Sequence, residues 1–94
     1  MEKNDQMFLQ LLYIFHSSAM QSMGKVINPI TNKVEKDLMQ AAGAIDILDV
    51  IKEKTKGNLS PDLLKILDGM LSELRLNYVD EMNKQSNVET EKKS

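Results

Sequence analysis

Apolar residues recur at helical spacing in three separate blocks of the chain. In the first block Phe8, Leu11, Leu12, Phe15, Ala19 and Met23 fall on one side of a helix at 100° per residue. Leu9, Tyr13 and Met20 form a second stripe beside it, and Met7 and Ile14 widen the first on its other side. Only Gln10, Ser17 and Gln21 remain as a polar strip. Asn4 or Asp5 is the expected N-cap, and Gly24 suits the left-handed position that closes a helix near Met23.

The second block places Leu38, Ala41, Ala44, Ile45, Leu48 and Ile51 on one face, with Asp46, Asp49 and Glu53 opposite. Its helix is expected from Glu35 or Asp37 to Lys56, with Lys52, Lys54 and Lys56 at the negative end of the dipole and Gly57 as terminator. The small run Ala41, Ala42, Gly43, Ala44 predicts a close helix crossing. The third block begins at Ser60-Pro61-Asp62, an N-cap followed by a residue already set for the first helical turn. Leu63, Leu67, Met70, Leu71, Leu74 and Tyr78 share one face to about Met82, flanked by Leu64 and Met82. Only Gly57-Asn58-Leu59 separates blocks two and three, so they should form an antiparallel helix hairpin.

Between the first two helices, residues 25–36 read as a loop. Pro29 lacks an amide donor and keeps Asn28 out of helical geometry. Thr31-Asn32-Lys33 is turn-like, with Asn32 able to turn left-handed. A short β-hairpin here would be marginal on its own. Ile27, Ile30 and Val34 are candidates to pin the loop onto the helices. The pattern as a whole predicts an all-α fold: one three-helix domain over residues 5–82, with a strongly apolar first helix and a polar, disordered tail over 83–94.

Composition narrows the chemistry. The charged fraction is 28%, yet residues 6–24 carry no formal charge. Ser, Gln and His residues interrupt that run, so it falls short of the ~20 mostly apolar residues of a membrane span. No small-residue cleavage site follows it, and a cytoplasmic protein is expected. The net charge of −2 argues against a protein built to grip phosphate backbones. With no cysteine there is no disulfide framework and no thiolate metal site. Seven methionines suit helix cores and adaptable interfaces alike.

Few residues suggest a reaction. His16 is the single histidine, and Ser17 beside it projects in another direction on a helix. Asp46, Asp49 and Glu53 have cation-binding spacing but read better as a solvated face. No catalytic residue, metal ligand or cofactor is expected, and the chain is read as a non-enzyme. The loop residues Lys25, Asn28, Thr31, Asn32 and Lys33 form a candidate polar contact surface, with Lys36 nearby. No aromatic residue interleaves these lysines for base stacking, so nucleic acid is not the expected partner.

Three segments, read together, carry a resemblance. Residues 8–48 with Ser17-Ser18-Ala19-Met20-Gln21 and the Asn28-Pro29 loop, then residues 53–61, then residues 71–79, resemble the bacterial family catalogued as domain of unknown function 1844. The family pattern has Gly after the loop threonine, where this chain has Asn32; Asn also tolerates left-handed geometry. The resemblance implies a small, helical, cytoplasmic bacterial protein and brings no activity, substrate or site residues with it.

The reading drawn from the residues is a helical interaction module that works as a homo-oligomer, a dimer built on the first helix through Leu9, Tyr13 and Met20. A nucleic-acid- or nucleotide-associated regulator using the 25–36 loop is the alternative. A small enzyme with His16 in a pocket ranks last.

Overall fold

The computed structural model describes residues 2–93, with side chains from residue 2 to residue 85. Its helices are α1 (Lys3–Ser22), α2 (Leu38–Lys54) and α3 (Pro61–Lys93). At 1.5 Å per residue the third is roughly 50 Å long, and it sets the longest dimension of the molecule, 54 Å.

α1 starts two to three residues earlier than its cap candidates suggest. Glu2 is the N-cap, and its side chain makes no capping bond. Asn4 and Asp5 lie inside the first turn, where Asp5 places negative charge at the positive end. The other end is closed by local bonds. The Lys25 amide donates to the Met20 carbonyl and the Gly24 amide to the Gln21 carbonyl, both at 3.0 Å. That pattern needs a left-handed residue, and Gly24 has φ +78°.

α2 is capped by Asp37, whose carboxylate accepts from the Gln40 amide at 3.1 Å, so Glu35 lies outside the helix. It ends two residues before Lys56, and Gly57 follows with φ +84°. Ser60 accepts from the Leu63 amide at 3.3 Å, which starts α3 where the Ser-Pro pair predicts. α3 then runs on beyond Met82 to Lys93. The tail expected over 83–94 falls, from residue 86 onward, on residues whose side chains lie outside the described set.

The core draws on all three helices. Leu12, Ala19 and Met23 meet Ala41, Ala44, Ile45 and Leu48, and both sets meet Leu67, Met70, Leu71 and Leu74. Phe8, Phe15, Leu38, Ile51 and Tyr78 pack around this cluster. α2 and α3 pack against each other as expected from their short connection. Exposed ion pairs join them on the outside, Lys52 with Asp68 and Arg75 with Asp49. Gly43 departs from expectation: it is exposed, and a Cβ there would meet nothing within 4 Å. The crossing uses the buried Ala41 and Ala44 instead.

α1 is buried on one side only. Met7 is 58% exposed and Ile14 62%, and Leu11 and Tyr13 are exposed as well. The other two helices thus cover only part of the apolar surface expected of α1. Its outer face is uncharged from residue 6 onward, but Gln and Ser alternate there with apolar residues.

Candidate functional site

Residues 23–37 turn back on themselves. Isolated bridges pair Met23 with Lys36 and Asn28 with Lys33, and the Asp37 amide donates to the Ser22 carbonyl at 2.7 Å. The start of α2 is thereby returned to the end of α1. The tip is shaped by Asn28: its side chain accepts from the Ile30 amide at 2.9 Å, and its carbonyl accepts from the Asn32 amide at 2.7 Å. Asn32 has φ 57°, the left-handed geometry expected of it. Ile27, Ile30 and Val34 do not pin this corner onto the helices, because all three are exposed, Ile30 at 91%.

Charge pins it instead. Glu81 of α3 is buried, at 6% exposure. Its carboxylate lies 2.7 Å from Lys25 Nζ and 2.9 Å from Lys36 Nζ, one lysine from each arm of the corner. Lys84, one turn along α3, approaches the same carboxylate at 3.1 Å. Hydrogen bonds from Lys25 and then Lys36 outweigh the cost of burial and hold the Glu81 pKa down at about 2. Asp80 is lowered as well, first by Lys84 and then by Lys25. Lys84 is raised by bonding to Glu81 and Asp80.

The five loop residues singled out from sequence therefore divide. Lys25 is committed to Glu81, and Asn28 to the turn. Thr31, Asn32 and Lys33 remain exposed at the tip. Sequence reasoning missed Glu81. Glu81 follows Leu74 and Tyr78 at i+7 and i+3 on the core side of α3, but a charged residue there reads as a solvated site until the corner is seen lying over it.

The proposed interface residues divide in the same way. Leu9 and Met20 are half-buried and pack against the core, while Tyr13 stays outside. On the side of α1 away from Tyr13, Met7, Leu11 and Ile14 are left uncovered, at i, i+4 and i+7. Beyond them the face continues into a shallow depression of ≈ 480 Å³ lined by Gln10, Tyr13, Ile14, Ser17, Ser18 and Gln21.

His16 makes no such site. Its Nε2 lies 3.5 Å from an exposed Glu73 carboxylate, and the Tyr13 ring meets it edge-on with centroids 6.5 Å apart. Ser17 faces outward. Among the described residues no group of three or more His, Cys, Asp or Glu could hold a metal ion. Among the same residues no helix is long and apolar enough to cross a membrane.

The profile of the family described as domain of unknown function (DUF1844) matches residues 5–81, from the first turn of α1 to Glu81. The chain belongs to this family. The matched DUF1844 segment takes in all three packed helices and the corner, and it ends on the carboxylate that latches the corner to α3. No curated protein and no solved structure matches the chain.

Proposed function

We propose that this DUF1844 protein is a non-enzymatic helical interaction module of the bacterial cytoplasm that works as a homodimer through α1. The observation that carries the proposal is the outer face of α1: Met7, Leu11 and Ile14 are exposed together, with Tyr13 exposed at the other edge across Gln10 and Ser17, on a helix with no formal charge from residue 6 to its end. Exposed apolar residues grouped on an uncharged helix face of a small domain suit a contact surface. The alternative, nucleic-acid contact through the 25–36 loop, has less to support it. Lys25 and Lys36 are both engaged by Glu81, which leaves Lys33 as the corner lysine with no ion pair among the described residues.

Light scattering across a micromolar dilution series tests the reading. The expected mass is twice the 10.7 kDa of one chain. Leu11→Glu with Ile14→Glu should return the monomer and keep the helical circular dichroism. A parent chain that scatters as a monomer throughout would defeat the proposal.

A further inference from the structure

The geometry points to an antiparallel pairing of α1 with α1 of a second copy, in which Met7 lies opposite the partner's Ser18 and Leu11 opposite the partner's Ile14. This rests on the dimer reading above and specifies its geometry.

The two halves of the exposed α1 face differ in side-chain size away from its centre, Met7 in one and Ser18 in the other. Asn4, Met7, Leu11, Ile14, Ser18 and Gln21 follow one another at alternating steps of three and four, the spacing of a helix–helix seam. The N-terminal half of that seam carries two large exposed side chains, Met7 and Leu11. The C-terminal half carries Ser18 and borders the depression between Tyr13 and Gln21. A two-fold contact is isologous: whatever residue i meets, the reverse contact is made as well. An antiparallel two-fold therefore sets the large Met7 against the small Ser18 twice and the apolar Leu11 against the apolar Ile14 at the centre. A parallel pairing would set Met7 against Met7 and Ser18 against Ser18, large on large and small on small.

Charge at the rim agrees. Lys3 begins α1 on the same side as Met7 and Ile14, four and eleven residues along. At the other end of the face, Glu35 shares a small hollow with Ser18 and Gln21. Both side chains are exposed and form no ion pair among the described residues. The antiparallel arrangement brings Lys3 toward the partner's Glu35 twice. The parallel one brings Lys3 toward Lys3, a like-charge contact that disfavours it.

The chain has no cysteine, so introduced thiols report directly. Copies carrying Met7→Cys and differently tagged copies carrying Ser18→Cys are mixed, refolded together and oxidised. Asn4→Cys with Gln21→Cys supplies an independent pair at the ends of the seam. The expected result is disulfide-linked heterodimer between the two tags in both mixtures. Linkage of Met7→Cys copies to themselves, or no linkage in samples that scatter as dimers, would overturn the antiparallel pairing and leave the dimer standing. Monomeric scattering by the parent chain would overturn both and assign the face to a different partner.

Discussion

The Lys25 ammonium lies 2.7 Å from the buried carboxylate of Glu81, so the residue that ends the α1 closing turn is tied to the far part of α3. Lys36 joins the same carboxylate from the returning arm of the corner. One acidic side chain thus holds both strands of an irregular segment that buries almost no apolar surface of its own.

Glu81→Gln should destabilise the fold at neutral pH. Hydrogen bonds to a charged group contribute about 1.5–3 kcal/mol, and the lower half of that range is expected because Lys25 and Lys36 can recover water when released. The pH dependence follows from the direction of the shift. A carboxylate whose folded pKa is depressed stabilises above its unfolded value, near 4.3 for Glu, and loses that contribution as pH falls toward the folded value. With Glu81 held at about 2, the difference between parent and variant should be full near about pH 6 and shrink between about pH 5 and pH 2. Urea melts across that range measure it; a gap that does not narrow in acid would mean the latch contributes little.

Lys25→Gln and Lys33→Gln should separate, although both remove one positive charge from the same corner. Lys25 touches Glu81 and Asp80, whereas Lys33 is exposed at the tip. The first should lower the thermal midpoint by several degrees, at about 4–8 °C per kcal/mol for a domain of this size. The second should stay within about 0.5 kcal/mol of the parent. Equal midpoints for the two variants would contradict the latch.

Two glycines should respond to alanine with opposite signs. Gly24 has φ +78°, and the closing bonds of α1 depend on that conformation; Gly24→Ala should cost about 1–2 kcal/mol in backbone strain. Gly43 sits in the exposed middle of α2 with open space where a Cβ would go. Gly43→Ala should stabilise by roughly 0.5–1 kcal/mol. Differential scanning calorimetry of the pair reads both, and a destabilised Gly43→Ala would reveal a contact made only in an assembly.

Ser60→Ala should cost about 0.5–2 kcal/mol, the usual range for losing an N-cap. Ser60 accepts from the Leu63 amide, and nothing else at that end of α3 replaces it among the described residues. An unchanged midpoint would mean that Pro61 alone sets the start of the helix.

The helix count, the α2–α3 hairpin and most helix ends were legible in the sequence because the forces that set them are local. Ser60-Pro61 starts a helix and Gly24 closes one through bonds and dihedral limits within a few residues. Asp37 could be read the same way. The weak start of α1 at Glu2 could not, since no side chain caps it and Asn4 and Asp5 look like better candidates.

Tertiary structure decided the rest. Periodicity lays several apolar stripes around α1, but neighbouring helices cover a stripe according to how they cross, and crossing depends on side chains from all three helices at once. That choice placed Leu9 and Met20 against the core and left Met7, Leu11 and Ile14 outside. The same holds for charge. Whether a lysine is solvated or paired depends on what the folded chain brings within about 4 Å of it. The residues of the corner point to a polar loop; only the packing of α3 beneath it turned Lys25 and Lys36 into the two arms of one buried ion cluster around Glu81.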